Sequence, residues 1–89
     1  MDMVSKTVER DLQQALAAEL RAIQGVASIT VRTWVADTSV SPDSVYRILR
    51  GDRPVSVVEL ILLCQVIKED PFDLIARAMK RAEGSQTTT

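Results

Sequence analysis

Apolar residues recur every three or four positions along the first third of the chain. Val8, Leu12, Ala15, Leu16, Leu20 and Ile23 fall on one stripe of a helix over residues 6–24, while Arg10, Asp11, Gln13, Gln14 and Arg21 lie mostly off it. Gly25 is a natural stop for that helix. The pattern then changes. Ile29-Thr30-Val31-Arg32 alternates as a strand of β-branched residues would. The same stretch suits a short helix capped by Thr30, with Val31, Trp34, Val35 and Thr38 on one face. Local propensity favours the strand, and the segment that follows favours the helix.

Three further helix starts are written in side-chain chemistry. Ser41 is a serine N-cap followed by Pro42, whose missing N–H is not needed at the first helical position. Asp43 suits the positive end of that helix, and Gly51 ends it after about nine residues. Ser56 and Glu59 form a capping box ahead of VVELILLCQVI, a run apolar almost all round that predicts a helix buried on most sides or partly in a subunit interface. Asp70-Pro71 opens the last helix in the same way as Ser41-Pro42. Phe72, Leu74, Ile75, Ala78 and Met79 are its apolar face, and Lys80 and Arg81 suit its C-terminal end. Residues 84–89, GSQTTT, read as a disordered tail. The chain thus predicts an all-α domain of five short helices over residues 1–83, with no repeat and no linker.

Composition narrows the chemistry. The 89 residues suffice for one small domain. Aromatics make up 3%, so the core must be aliphatic around Trp34, itself a core candidate. With no histidine and one cysteine, zinc fingers, histidine-based triads and internal disulfides drop out. Cys64, inside an apolar run, reads as a small core residue. No nucleophile–base set, phosphate-binding glycine loop or metal-ligand cluster is visible, and capping explains Glu59, Asp70 and Asp73. An enzyme, a cofactor and a small-molecule ligand are therefore not expected. There is no charged-then-apolar leader and no apolar run of about 18 residues, so a cytoplasmic protein without a membrane span is expected.

Net charge is -1, which supplies no global attraction to nucleic acid. The arginines are nevertheless placed with purpose. In the helix after Ser41, Val45, Ile48 and Leu49 are spaced to form an inward face, and Asp43, Arg47 and Arg50 point roughly the opposite way, flanked by Ser44 and Tyr46. Two short helices joined by about four residues, the second carrying outward arginines, form a helix-turn-helix layout. In that docking mode the helix tip and outer face meet base edges, here Ser41, Pro42, Asp43, Ser44 and Arg47, with Arg47 able to take a guanine. Arg50 and Arg53, at and past the far end, would meet the DNA backbone, as would Tyr46 and, from the preceding helix, Thr30, Arg32 and Thr33. Against this, Asp43 and Arg47 are also spaced for a simple surface ion pair.

The stretch WVADTSVSPDSVYRILRGDRPVSVVELILLCQVIKEDPFDLI resembles the lambda-repressor-like, or Xre-type, helix-turn-helix family. That family carries segments like "VSxxTVSRIxxGxRxPS", a capped fourth helix and an "xxDPxxLL" fifth helix. Here these become Val40 to Gly51, Arg53-Pro54-Val55-Ser56, and Asp70-Pro71-Phe72-Asp73-Leu74-Ile75. Ser39 stands where the family has a turn glycine, and Val35 where it prefers alanine. The resemblance implies a sequence-specific regulator of transcription that binds double-stranded DNA, of the phage-repressor, Cro-like or Xre type. It also implies a homodimer on a palindromic operator. Surplus apolar surface places the expected dimer interface at Leu60, Leu63, Leu74, Ile75 and Met79. The competing expectation is a protein-interaction module, such as an antitoxin or anti-repressor, on the same fold.

Overall fold

The computed structural model describes the backbone of residues 2–87 and the side chains of residues 8–84. Five helices follow one another: α1 (Asp2–Ala27), α2 (Val31–Val35), α3 (Pro42–Leu49), α4 (Val57–Val66) and α5 (Pro71–Thr87). No strand occurs among the described residues, so the ambiguous stretch after α1 is helical. Tertiary burial overrides its β propensity, because only a helical turn sets Val31, Trp34 and Val35 together against the core.

At about 1.5 Å per residue, the 26 residues of α1 account for most of the 41 Å long axis of the molecule. This helix does not stop at Gly25, as its sequence suggests, but continues to Ala27. Its end is set by Ser28, whose φ of 53° lies in the left-handed region. The Ser28 and Ile29 amides donate to the Gly25 and Gln24 carbonyls at 3.3 and 3.4 Å, the paired bonds of a Schellman motif. Ile29 then packs on the core, and Gln24 Nε2 donates to its carbonyl at 3.1 Å. The end of α4 repeats the device. Lys68 has a φ of 57°, and the Lys68 and Glu69 amides donate to the Gln65 and Cys64 carbonyls.

The core gathers Leu20 from α1, Val31, Trp34 and Val35 from α2, Val45, Ile48 and Leu49 from α3, Leu60, Leu63 and Cys64 from α4, and Leu74 from α5. Trp34 is fully buried, and its Nε1–H donates to the Leu63 carbonyl at 2.9 Å. Cys64 is a buried core residue as expected; burial, with Glu69 and Asp70 nearby, pushes its thiol up to about 11, so it stays protonated and inert.

Two expectations for the later helices change. The apolar α4 is buried on one side only, since Val57 and Val58 are 72% and 65% exposed. Among the described residues only α2 and α5 approach its backbone closely, too little to cover a helix apolar all round. The α5 helix runs to Thr87, through part of the 84–89 segment expected as a disordered tail; residues 88–89 lie outside the described residues.

Along its length α1 packs against α5 through the small residues Ala15, Ala78 and Ala82. One polar clamp ties the pair. Glu19 is only 7% exposed and accepts from Arg77 Nε at 3.0 Å and from Arg81 Nε and Nη2 at 3.0 and 2.8 Å. Arg77 also reaches Glu69 at 2.6 Å. Burial alone would raise the Glu19 pKa, but the bonds and charges of Arg81 and Arg77 outweigh it and hold the carboxyl below its ordinary value.

Two predictions concern stability. A depressed folded-state pKa means that Glu19 contributes stability above the usual carboxylate range, near about 4.3, and loses it as pH falls through the lower folded value. Glu19→Gln should cost about 1–3 kcal/mol in urea unfolding at pH 7. The gap to the unsubstituted chain should narrow in strong acid. Lys68→Gly relieves a left-handed side-chain residue and should raise stability by about 0.5–1 kcal/mol in the same assay.

Candidate nucleic-acid interface

The turn between α2 and α3 runs from the C-cap Ala36 to the N-cap Ser41. Thr38 organises it: its hydroxyl and its amide both donate to the Val35 carbonyl at 2.9 Å, and the hydroxyl accepts from the Val40 amide at 3.2 Å. Val40 is buried and pins the turn to the core. No glycine is needed, which explains how Ser39 fits.

Both helices of this unit begin with the same hydroxyl pair. Ser41 Oγ accepts from the Ser44 amide at 3.1 Å and donates to Ser44 Oγ at 2.9 Å. Thr30 Oγ1 likewise accepts from the Thr33 amide at 3.2 Å and donates to Thr33 Oγ1 at 2.9 Å. The capping hydroxyls of Ser41 and Thr30 are therefore occupied by the fold. Those of Ser44 and Thr33 keep a proton to donate outward.

Val45, Ile48 and Leu49 face inward from α3 as the spacing predicts, and Asp43, Tyr46, Arg47 and Arg50 are exposed. Pro42 and Ser44 are half-buried at the helix tip, and Arg32 and Thr33 are exposed on α2. Each of the three arginines at 47, 50 and 53 has an acidic partner. Arg47 Nε lies 3.4 Å from Asp43 Oδ2, with side chains 58% and 77% exposed. This is the surface pair that the spacing allowed. Arg50 Nε donates to Asp52 Oδ2 at 3.2 Å. Arg53 grips Glu59 with two bonds, Nη1 to Oε1 at 3.1 Å and Nη2 to Oε2 at 2.9 Å. Glu59 Oε1 also accepts from the Ser56 amide, completing the capping box of α4. The Arg53 bonds chiefly, opposed by burial and aided by the Ser56 bonds, hold the Glu59 carboxyl below its ordinary value. Arg53 therefore links the loop after α3 to the start of α4.

The far end of α3 is anchored from α1 by two side chains that sequence reasoning passed over. Arg21 Nη1 donates to the Leu49 carbonyl, and Gln14 Nε2 donates to the Gly51 carbonyl at 3.4 Å. They are seven residues apart, two turns along one face of α1. Their position off the apolar stripe was visible in the sequence. Their partners were not, because a backbone carbonyl leaves no side-chain signature. Gly51 is favoured here by its backbone, and a larger residue would also push the Gln14 side chain aside. Its φ is +78°, and a Cβ would lie 2.5 Å from Gln14 Nε2. The Gly51 and Asp52 amides close a third Schellman motif on Ile48 and Arg47.

The expected dimer set divides. Leu60, Leu63 and Leu74 are core residues of one chain, at 5% exposure or less, so they offer a second chain little surface, although Leu60 also lines the groove between the helices. They satisfy their own helices' packing first. Ile75 and Met79 remain exposed. With Val57 and the half-buried Leu12, Leu16 and Val55 they line an apolar groove of about 310 Å³ between α1, α4 and α5. Among the described residues no group of acids and cysteine is arranged to hold a metal, and no helix is long and apolar enough to cross a membrane.

Two crystal structures of the clp gene regulator ClgR from Corynebacterium glutamicum are similar to this fold. One gives a TM-score of 0.76 at 25% identity over 84% of this chain and 80% of that one. The other gives 0.71 at 27% identity over 80% of this chain and 91% of that one. No protein-family model matches the chain, and no curated protein sequence matches it.

Arg21→Met keeps the aliphatic stem and removes the bond to the end of α3. It should cost about 1–2 kcal/mol of stability and speed amide hydrogen exchange most at Arg50, Gly51 and Asp52. Exchange that rises evenly over all helices would contradict a local anchoring role.

Proposed function

We propose that the chain is a transcription regulator that binds double-stranded DNA sequence-specifically, with α3 in the major groove. The observation that carries this is the exposed face of α3: arginines on a short, capped helix that is held at both ends and raised on a buried tryptophan. The likeness to a gene regulator supports it. In this reading Ser41, Pro42, Asp43, Ser44 and Arg47 form the base-facing set. Arg47 offers two Nη groups to guanine O6 and N7. The outward hydroxyl protons of Ser44 and Thr33 suit an acceptor oxygen on a base or phosphate. Arg50, Tyr46, Arg32 and Thr30 lie along the DNA backbone; Arg53 reaches it only by loosening its grip on Glu59.

The type is lambda-repressor-like, acting in the cytoplasm as a phage repressor, Cro-like protein or Xre-type regulator. The working form is a homodimer on a palindromic operator, joined through Ile75 and Met79 and the exposed valines of α4. A protein-interaction role, as in an antitoxin or anti-repressor, is favoured by those same exposed apolar residues. It differs in salt dependence, because phosphate contacts release counterions and an apolar contact does not.

Selection from a random duplex library at moderate salt should enrich a motif with two symmetric halves. On the enriched site Arg47→Ala should cost about 1–3 kcal/mol and relax base choice at one position. A library that yields no motif, or a variant with unaltered affinity and preference, overturns the assignment.

A further inference from the structure

From Ser41 to Glu59 the chain carries three arginines and three acidic residues, and each arginine is paired with one of the acids. The pairs are local. Asp43 precedes Arg47 by one helical turn, and Asp52 follows Arg50 around the glycine that ends α3. Glu59 has separate structural work in the capping box of α4, but Asp43 and Asp52 have no other bond of comparable reach. Their side chains are 77% and 62% exposed, on the same surface as the arginines.

Resting on the DNA-binding reading above, we infer that Asp43 and Asp52 are specificity-determining residues. Each carboxylate occupies the anion position of its arginine, so that the protein binds random-sequence DNA weakly while retaining guanine recognition. A phosphate has to displace the carboxylate or lie beside it, within the roughly 8 Å over which charges in physiological salt still interact. Guanine presents neutral acceptors and carries no such penalty. The geometry of Arg47 separates the two ligands. Asp43 takes Nε at 3.4 Å, leaving Nη1 and Nη2 for a base. Asp43 thus acts through Arg47 as a positioning group that sets the guanidinium plane. Asp52 takes Nε of Arg50 at 3.2 Å and weakens an arginine placed for a purely backbone contact. A chain of net charge -1 then gains its affinity at matched bases rather than along any duplex.

The test compares two charge-matched double variants of the full chain, Asp43→Asn/Asp52→Asn and Asp73→Asn/Glu83→Gln. The second pair lies exposed on α5, which among the described residues does not pack against α3. Binding to a random-sequence duplex and to the selected operator is measured across a salt series, with helical circular dichroism as the folding check. Freeing two arginines should raise random-duplex affinity by about fivefold or more. It should also steepen the plot of log affinity against log salt by about 0.9 for each new phosphate contact. Operator affinity should rise less, so the specificity ratio falls. The α5 variant should show a smaller gain and an unchanged slope. If the unsubstituted chain binds its operator but the two double variants behave alike on random duplex, this inference fails and the DNA-binding reading stands. If neither the unsubstituted chain nor any variant binds any duplex, both fail together.

Discussion

The hydrogen bond from Trp34 to the Leu63 carbonyl governs how the rest of the domain is held. Trp34 is the only aromatic side chain in the core, since Tyr46 and Phe72 are exposed. It comes from a helix of five residues, too short to be stable alone. That helix persists because its one large side chain fills the space between α2 and α4, and because the buried indole N–H finds its acceptor in the Leu63 carbonyl of α4. A short helix fixed at a buried point sets the angle at which α3 leaves the turn.

The same logic recurs at other helix ends. The Leu49 carbonyl at the end of α3 takes Arg21, the Gly51 carbonyl takes Gln14, and three Schellman motifs use two carbonyls each at the ends of α1, α3 and α4. The first turns are closed by Thr30, Ser41, Ser56 and Asp70, the last accepting from the Phe72 amide at 2.8 Å. Short helices have a large fraction of unsatisfied backbone groups, so a domain built of them spends its polar side chains on ends. Such a scaffold presents α3 with little freedom. For the proposed DNA-binding role that rigidity matters, because a bidentate contact to a base tolerates only small displacements.

How much of this could be read in advance depended on range. Caps act over three residues, and so Ser41, Ser56 with Glu59, and the inward set Val45, Ile48 and Leu49 were all visible in order. The helical state of residues 31–35 was half visible. Thr30 argued for it, β propensity argued against it, and only the burial of Trp34 decides. Gly25 misled because a glycine signals an end only where a left-handed residue is needed. Here that residue is Ser28, three positions on, where the chain turns to bury Ile29. The all-apolar look of α4 misled for a related reason. Hydrophobicity says what a residue tolerates, whereas exposure depends on how many neighbours a domain of this size can supply. Arg21 to Leu49, Arg53 to Glu59 and Glu19 to Arg77 and Arg81 join residues across loops or whole helices, and no periodicity announces them.

The charge pattern joins the scaffold to its use. Arginines on an exposed helix face suggest an anion partner, yet every arginine in this segment already has one within the chain. The three pairs differ in kind. Arg53 with Glu59 is bidentate, half-buried and tied into a capping box, so breaking it would disturb the start of α4. The pairs at Arg47 and Arg50 are single, exposed contacts of the sort worth about 0–1 kcal/mol, weak enough to exchange for a better acceptor. A graded set of this kind separates duties along one short segment. The strong pair holds the loop in place, and the weak pairs keep two guanidinium groups ordered and available.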